Sequence, residues 1–169
     1  MNEHAAHLIQ QYKERGLLLD ANLLLLFCLG TYDRDAVVRS RRMSFTERDF
    51  DLLVAFMAEF VHIATTPNIL TEVSNLATNN LQRGYHAVYL PLFGGIIGQL
   101  DERYVGSAHV AALPVFNWLA LTDGGIGEVA RDRYLVLSID VPLISYLERE
   151  GVAVLNFNHI RELAWRNQP

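Results

Sequence analysis

Lysine is almost missing from this chain. Lys13 is the single lysine among 14 basic residues; the other 13 are arginines. Chemistry that needs a lysine beyond Lys13 is therefore excluded. That removes a phosphoaspartyl phosphatase, a phospho-receiver site and a Gly-x-x-x-x-Gly-Lys phosphate loop. Cysteine is as scarce. Cys28 stands alone, which excludes an internal disulfide and a multi-cysteine zinc site and fits a reducing compartment. Positive charge is in deficit: 14 basic residues face 19 acidic ones, for a formal charge of -5. Binding of nucleic acid by general surface charge is excluded, although a local basic patch is not. Long apolar runs are missing too. The run Leu23 to Gly30 falls far short of the ~20 residues of a membrane-spanning helix. Met1 to Arg15 is polar and lacks the apolar segment of a signal peptide. The expectation is a soluble, cytoplasmic protein with no membrane partner.

What is present is a globular composition. Of 169 residues, 51% are apolar and 20% charged, enough for a sizeable core. At roughly 150 residues per domain, the length predicts a single domain over residues 1–169, with its core at about 17–157. No repeat, linker or low-complexity segment interrupts it.

Short apolar runs alternate with helical patterns. Gly16 to Asp20 reads as a buried strand stopped by an acid, and Leu23 to Leu29 as a helix. Thr31 to Ser44 is polar and reads as loop. Thr46-Glu47-Arg48-Asp49 opens an amphipathic helix to about Phe60. Val61 to Ala64 reads as a strand. Pro67, with Thr65 or Thr66 as cap, starts a helix to about Leu81. A helix follows at Val88 to Leu100, then a short strand at Arg103 to Val105. Val110 to Leu121 and Ile126 to Arg131 read as helices interrupted by Gly124-Gly125. Tyr134 to Asp140 is apolar on both faces, as in the middle of a covered parallel sheet. Pro142 to Arg149 is a helix, Val152 to Phe157 a strand, and a short helix follows. This alternation predicts an α/β fold: three layers, α/β/α, around a central, mostly parallel sheet. The Asp20 strand and the Asp140 strand, being the most apolar, should lie side by side in its middle.

Four acids stand where a carboxylate is costly. Asp20 and Asp140 end two apolar strands, and sites in open α/β sheets form beyond such ends. Each also has a plainer reading as the cap of the following helix. Glu72 borders the stripe Ile69, Val73, Leu76, Ala77 and Leu81, with Asn75 on the same flank. Asp123 lies on the apolar face if its helix is continuous, and in an exposed turn if Gly124-Gly125 breaks it. Carboxylates gathered together repel one another and need a cation; hard oxygen ligands favour Mg²⁺ or Mn²⁺. Such metals activate water and clamp phosphoryl oxygens. The four acids are accordingly expected to share one pocket at the carboxyl edge of the sheet.

This order of acids resembles the PIN-domain family of metal-dependent ribonucleases. Leu17-Leu18-Leu19-Asp20-Ala21-Asn22 is similar to the family's first strand and first acid. Thr65-Thr66-Pro67-Asn68-Ile69-Leu70-Thr71-Glu72-Val73-Ser74-Asn75 is similar to the helix that carries its glutamate. Leu121-Thr122-Asp123 and Leu137-Ser138-Ile139-Asp140 are similar to its third and fourth acid motifs. The third motif departs from the family: Gly124-Gly125-Ile126-Gly127 replaces the usual alanine-rich helix. The resemblance implies an Mg²⁺- or Mn²⁺-dependent endoribonuclease with Asp20, Glu72, Asp123 and Asp140 as catalytic metal ligands. It also implies a possible toxin role, with an antitoxin-like inhibitor protein as partner. The alternative is a PIN-like binding or assembly module without catalysis.

Asn22, Asn75 and Thr122 are the neighbours expected to orient ligands or water. Arg39, Arg41 and Arg42, with Arg34 upstream, are candidates to hold RNA phosphates, because the guanidinium fork suits them. A solvated loop, or a patch for an acidic partner, is the competing reading. The aromatics Tyr85, Tyr89, Phe93, Phe116 and Trp118 are expected as core or dimer contacts rather than base-stacking platforms. A homodimer is expected.

Overall fold

The computed structural model describes residues 3–39, 44–80 and 86–166. In chain order these form α1 (Glu3–Tyr12), β1 (Leu17–Leu19), α2 (Ala21–Tyr32), α3 (Arg34–Arg39), α4 (Glu47–Met57) and β2 (Ile63–Thr65). There follow α5 (Pro67–Asn80), α6 (His86–Ile97), β3 (Asp101–Glu102), α7 (Ser107–Ala111) and α8 (Phe116–Ala130). The chain continues through β4 (Leu135–Ser138), α9 (Val141–Arg149), β5 (Val154–Asn156) and α10 (Phe157–Arg166). The strands make one parallel sheet in the order β3-β2-β1-β4-β5, flanked by helices in three layers.

The two apolar runs sit where their composition requires. Every residue of Leu17–Leu19 and Leu135–Leu137 is buried to 1% exposure or less. A strand covered on both faces has no polar side to show, so its sequence runs apolar instead of alternating. The two pair directly, Leu17 with Leu135 and Leu19 with Leu137. Gly16 turns the chain into β1 with φ +118°, where a Cβ would lie 2.8 Å from the His62 carbonyl oxygen; only glycine fits.

Helix starts follow their capping chemistry. Thr46 and Asp49 form a reciprocal capping box on α4. The Thr66 hydroxyl accepts the Ile69 N–H at 3.2 Å, so Thr66, not Thr65, caps α5. The capped Asp49 is fully buried and takes two further hydrogen bonds, at 2.6 and 3.0 Å, from Arg161 of α10.

Several segments differ from their sequence reading. The third strand is Asp101–Glu102, ahead of the expected Arg103 to Val105. Within the stretch read as loop, Arg34–Arg39 is helical, because Ala36 and Val37 are buried in the core. The Arg34 guanidinium is engaged by Asp51 of α4 at 2.6 and 3.1 Å. Gly124-Gly125 does not interrupt α8. The break lies earlier, at Ala120 (φ 55°, ψ -156°), a conformation that costs a residue with a Cβ of order 1–3 kcal/mol. The glycines serve proximity instead. A Cβ on Gly124 would meet Val110 Cγ1 at 2.9 Å, and one on Gly127 would meet Tyr146 Cε1 at 2.9 Å. Small residues thus let α8 press against α7 and α9.

Candidate functional site

The strand order reverses direction between β1 and β4: β2 and β3 extend the sheet one way, β4 and β5 the other. At such a switch point the two flanking connections leave in opposite directions and open a crevice beyond the carboxyl ends of the strands. Asp20 and Asp140 follow those two ends.

The register arranges a row of polar residues there. One step beyond Leu19 and Leu137, Asp20 lies opposite Ser138, and Ser138 pairs with Asn156. On the other side, two steps beyond Leu18 and Ala64, Asp20 lies opposite Thr66. Thr66, Asp20, Ser138 and Asn156 therefore end four neighbouring strands at one level. The role of Ser138 was not anticipated from sequence. The signal available was its place at the polar end of an apolar strand, level with a buried aspartate.

Asp20 is 2% exposed and fully engaged. Its Oδ1 accepts the Leu23 N–H at 2.8 Å, which caps α2. Its Oδ2 accepts the Ser138 hydroxyl at 2.5 Å and the Ile139 N–H at 3.1 Å. Burial pushes its carboxyl above the ordinary value, the bonds from Ser138, Leu23 and Ile139 oppose the rise, and the charge of Asp140 adds to it. Asp140 caps α9 by accepting the Leu143 N–H at 2.9 Å. Capping and exposure to the crevice are compatible, since each carboxylate oxygen has two acceptor positions.

The other two acids come from helices. Glu72 is half-buried at the border of the inward stripe of α5, where Ile69, Val73 and Ala77 are fully buried. Asp123 is half-buried in α8. Its carboxyl is pushed up to about 7, first by burial, then by the charges of Asp140, Asp20 and Glu72. The charges of Asp140, Asp20 and Glu72 thus reach Asp123, and that of Asp140 reaches Asp20. Among the described residues none of the four is paired with an arginine, lysine or histidine.

Charge and geometry point differently at a metal. The donor set, four hard carboxylates without a countercharge among the described residues, suits a divalent cation of the Mg²⁺ class. As the side chains stand, no three His, Cys, Asp or Glu residues among those described are grouped to hold one.

The accessory residues are less engaged. Asn22 and Thr122 are half-buried and Asn75 is exposed. The Asn75 backbone carbonyl accepts the Thr78 hydroxyl at 3.2 Å. Of the arginine cluster, Arg41, Arg42 and the side chain of Arg39 lie outside the described residues, as does Tyr85. Tyr89 and Phe93 are core residues, stacked at 5.6 Å. Trp118 is not: it is 77% exposed. No described helix is long and apolar enough to cross a membrane. No family model, curated protein or solved structure matches the chain.

Proposed function

We propose that this protein is a metal-dependent endoribonuclease of the PIN type that hydrolyses phosphodiester bonds of RNA. The observation that carries the reading is the placement of Asp20 and Asp140 just beyond the ends of the two central strands, where the sheet order reverses, with Asp123 half-buried in α8 and its carboxyl pushed up to about 7 by burial and by Asp140, Asp20 and Glu72. Carboxylates near enough to raise one another's proton affinity, without a basic partner among the described residues, cost stability, and such cost concentrates at functional sites. Asp20, Glu72, Asp123 and Asp140 would hold Mg²⁺ or Mn²⁺. That cation, when bound, supplies an activated water and neutralises the scissile phosphate. Asp20 is the most rigidly placed of the four, fixed by Leu23, Ser138 and Ile139. The partially exposed Asn22 and Thr122 would orient ligands or water from beside it. Arg39, Arg41 and Arg42 would hold phosphates along the RNA.

Further partners belong to the same reading: an antitoxin-like inhibitor protein, and a second copy of the chain, in the cytoplasm. For the second copy, α6 offers Val88, Leu90, Pro91, Gly94 and Gly95, exposed and uncharged. A two-fold contact sets a surface against itself, so in a chain of charge -5 a neutral face meets its copy without repulsion.

The second reading is a PIN-like module that binds or assembles without catalysis. It is favoured by the lack, among the described residues, of three side chains grouped to hold a metal. The experiment is cleavage of a mixed RNA pool with and without EDTA, for wild type and Asp20→Asn, with melts in Mn²⁺. EDTA-sensitive cleavage lost in the variant supports the nuclease. Undiminished cleavage in EDTA refutes it, and no cleavage together with no Mn²⁺ shift supports the module.

A further inference from the structure

The chain has two tryptophans, and they are used differently. Trp165 of α10 is 46% exposed, but its ring packs under the Arg161 guanidinium at 5.0 Å. Trp118 is 77% exposed, and among the described residues its ring has no aromatic or cationic partner. It stands in the first turn of α8, and Asp123 follows five residues later. The left-handed Ala120 separates them (φ 55°). Backbone strain of this kind persists where the surrounding structure imposes it, and it collects at ligand sites. Across Ala120 the chain changes direction, leaving the indole in solvent and Asp123 half-buried among the acids.

The placement follows from the topology. The part of α8 after Ala120 runs back toward the start of β4, so its first turn, with Asp123, lies toward the carboxyl edge of the sheet, where Asp20 and Asp140 follow β1 and β4, and Trp118 stands two residues before the kink. The four acids of that edge have no basic partner among the described residues, and the chain carries -5 overall. Those four residues give a polyanion no attraction of their own, whatever Arg39, Arg41 and Arg42 supply along the strand. A contact that charge does not oppose adds affinity beside them, and a nucleobase on an indole face is such a contact. In a duplex the base faces are already stacked; only an unpaired base offers one.

We infer that Trp118 is a stacking platform for an unpaired base of the substrate, beside the acidic crevice. The inference rests on the ribonuclease reading and adds to it a residue that positions the substrate. Trp118 positions the strand and takes no part in the chemistry.

The test uses Trp165→Phe protein, so that Trp118 is the sole indole reporter. The probe is decauridylate, with Ca²⁺ standing in for Mg²⁺ to neutralise the acids and slow cleavage. Decauridylate should quench Trp118 fluorescence, and a duplex of equal length should not. Trp118→Ala should weaken binding roughly tenfold or more, melt like wild type and keep its cation-induced melting shift. Trp118→Phe should regain most of the affinity. Equal affinity in Trp118→Ala, or RNA bound and cut with no quenching, overturns the stacking role and leaves the ribonuclease reading standing. A wild type that neither binds nor cuts any RNA overturns both. A dimer lost in Trp118→Ala, with RNA affinity kept, assigns the indole to a protein contact and also overturns the inference.

Discussion

The Ser138 hydroxyl donates a 2.5 Å hydrogen bond to Asp20 Oδ2 across the β1–β4 pairing, joining residues 118 apart in the chain. The bond ties the end of one central strand to the end of the other at the point where the sheet reverses. It also favours the ionised form of a carboxylate that burial drives toward the neutral one.

Ser138→Ala removes this donor and leaves Oδ2 with the Ile139 N–H alone. A hydrogen bond to a charged group contributes about 1.5–3 kcal/mol, and a loss of that order is expected in urea melts at pH 7. Asp20→Asn is also not free. Its carboxylate accepts backbone N–H groups on both oxygens, from Leu23 and from Ile139, and an amide has one acceptor oxygen. Relief of repulsion alone would predict no cost; the hydrogen bonds predict one of about 1–3 kcal/mol. A melt of Asp20→Asn equal to or above wild type would show that repulsion dominates.

Asp123 gives the clearest pH dependence. Its folded-state carboxyl stands at about 7 against an ordinary value of 3.8. The folded protein therefore holds this proton more tightly than the unfolded chain. The favourable contribution is complete below about pH 4 and is lost as pH rises to about 7. Over that interval stability should fall by up to about 1.4 kcal/mol per pH unit. Asp123→Asn should flatten this part of the profile and raise stability at pH 8. Under the nuclease reading Mn²⁺ opposes the same loss, so its melting shift should be larger at pH 8 than at pH 5. A wild-type profile already flat from pH 4 to 7 would contradict the placement of Asp123.

The α8 glycines predict an inversion of helix propensity. Alanine is favoured over glycine in a helix by about 1 kcal/mol. At Gly127, however, a Cβ would meet Tyr146 Cε1 at 2.9 Å, and at Gly125 it would meet Val105 Cγ1 at a milder 3.3 Å. Gly127→Ala should destabilise by about 1–3 kcal/mol, and Gly125→Ala should be close to neutral. Denaturant melts of the two variants side by side decide it; equal stabilisation in both would mean that α8 is not tightly packed on α9.

Arg161 predicts how α10 is held. Its guanidinium grips Asp49, which is fully buried, from a side chain that is 15% exposed. Arg161→Ala leaves a buried carboxylate unpaired and should cost about 3–5 kcal/mol. Arg161→Lys should recover little, since a lysine cannot reproduce the two-pronged contact. Limited proteolysis should release α10 first in both variants; protection equal to wild type would contradict this tie.

The sequence by itself determined that the runs Gly16 to Asp20 and Tyr134 to Asp140 hold buried strands, that they neighbour each other, and that Pro67 opens a helix behind a threonine cap; the second strand stops at Ser138, two residues before Asp140. These are local properties: hydrophobic period, capping chemistry and the fixed φ of proline act within a few residues, and two strands apolar on both faces have only the middle of a covered sheet to occupy. Tertiary structure decided the rest. Ala36 and Val37 make Arg34–Arg39 helical because the core accepts them, which a polar flank conceals. The helix passes through Gly124-Gly125 because α7 and α9 press close against it, so packing overrides propensity. Ser138 meets Asp20 only through strand register, and Asp123 acquires its raised carboxyl only when folding buries it and, second to that, brings the charges of Asp140, Asp20 and Glu72 near. Electrostatic coupling and hydrogen bonding depend on distance in space, and between residues about a hundred positions apart that distance is set by the sheet.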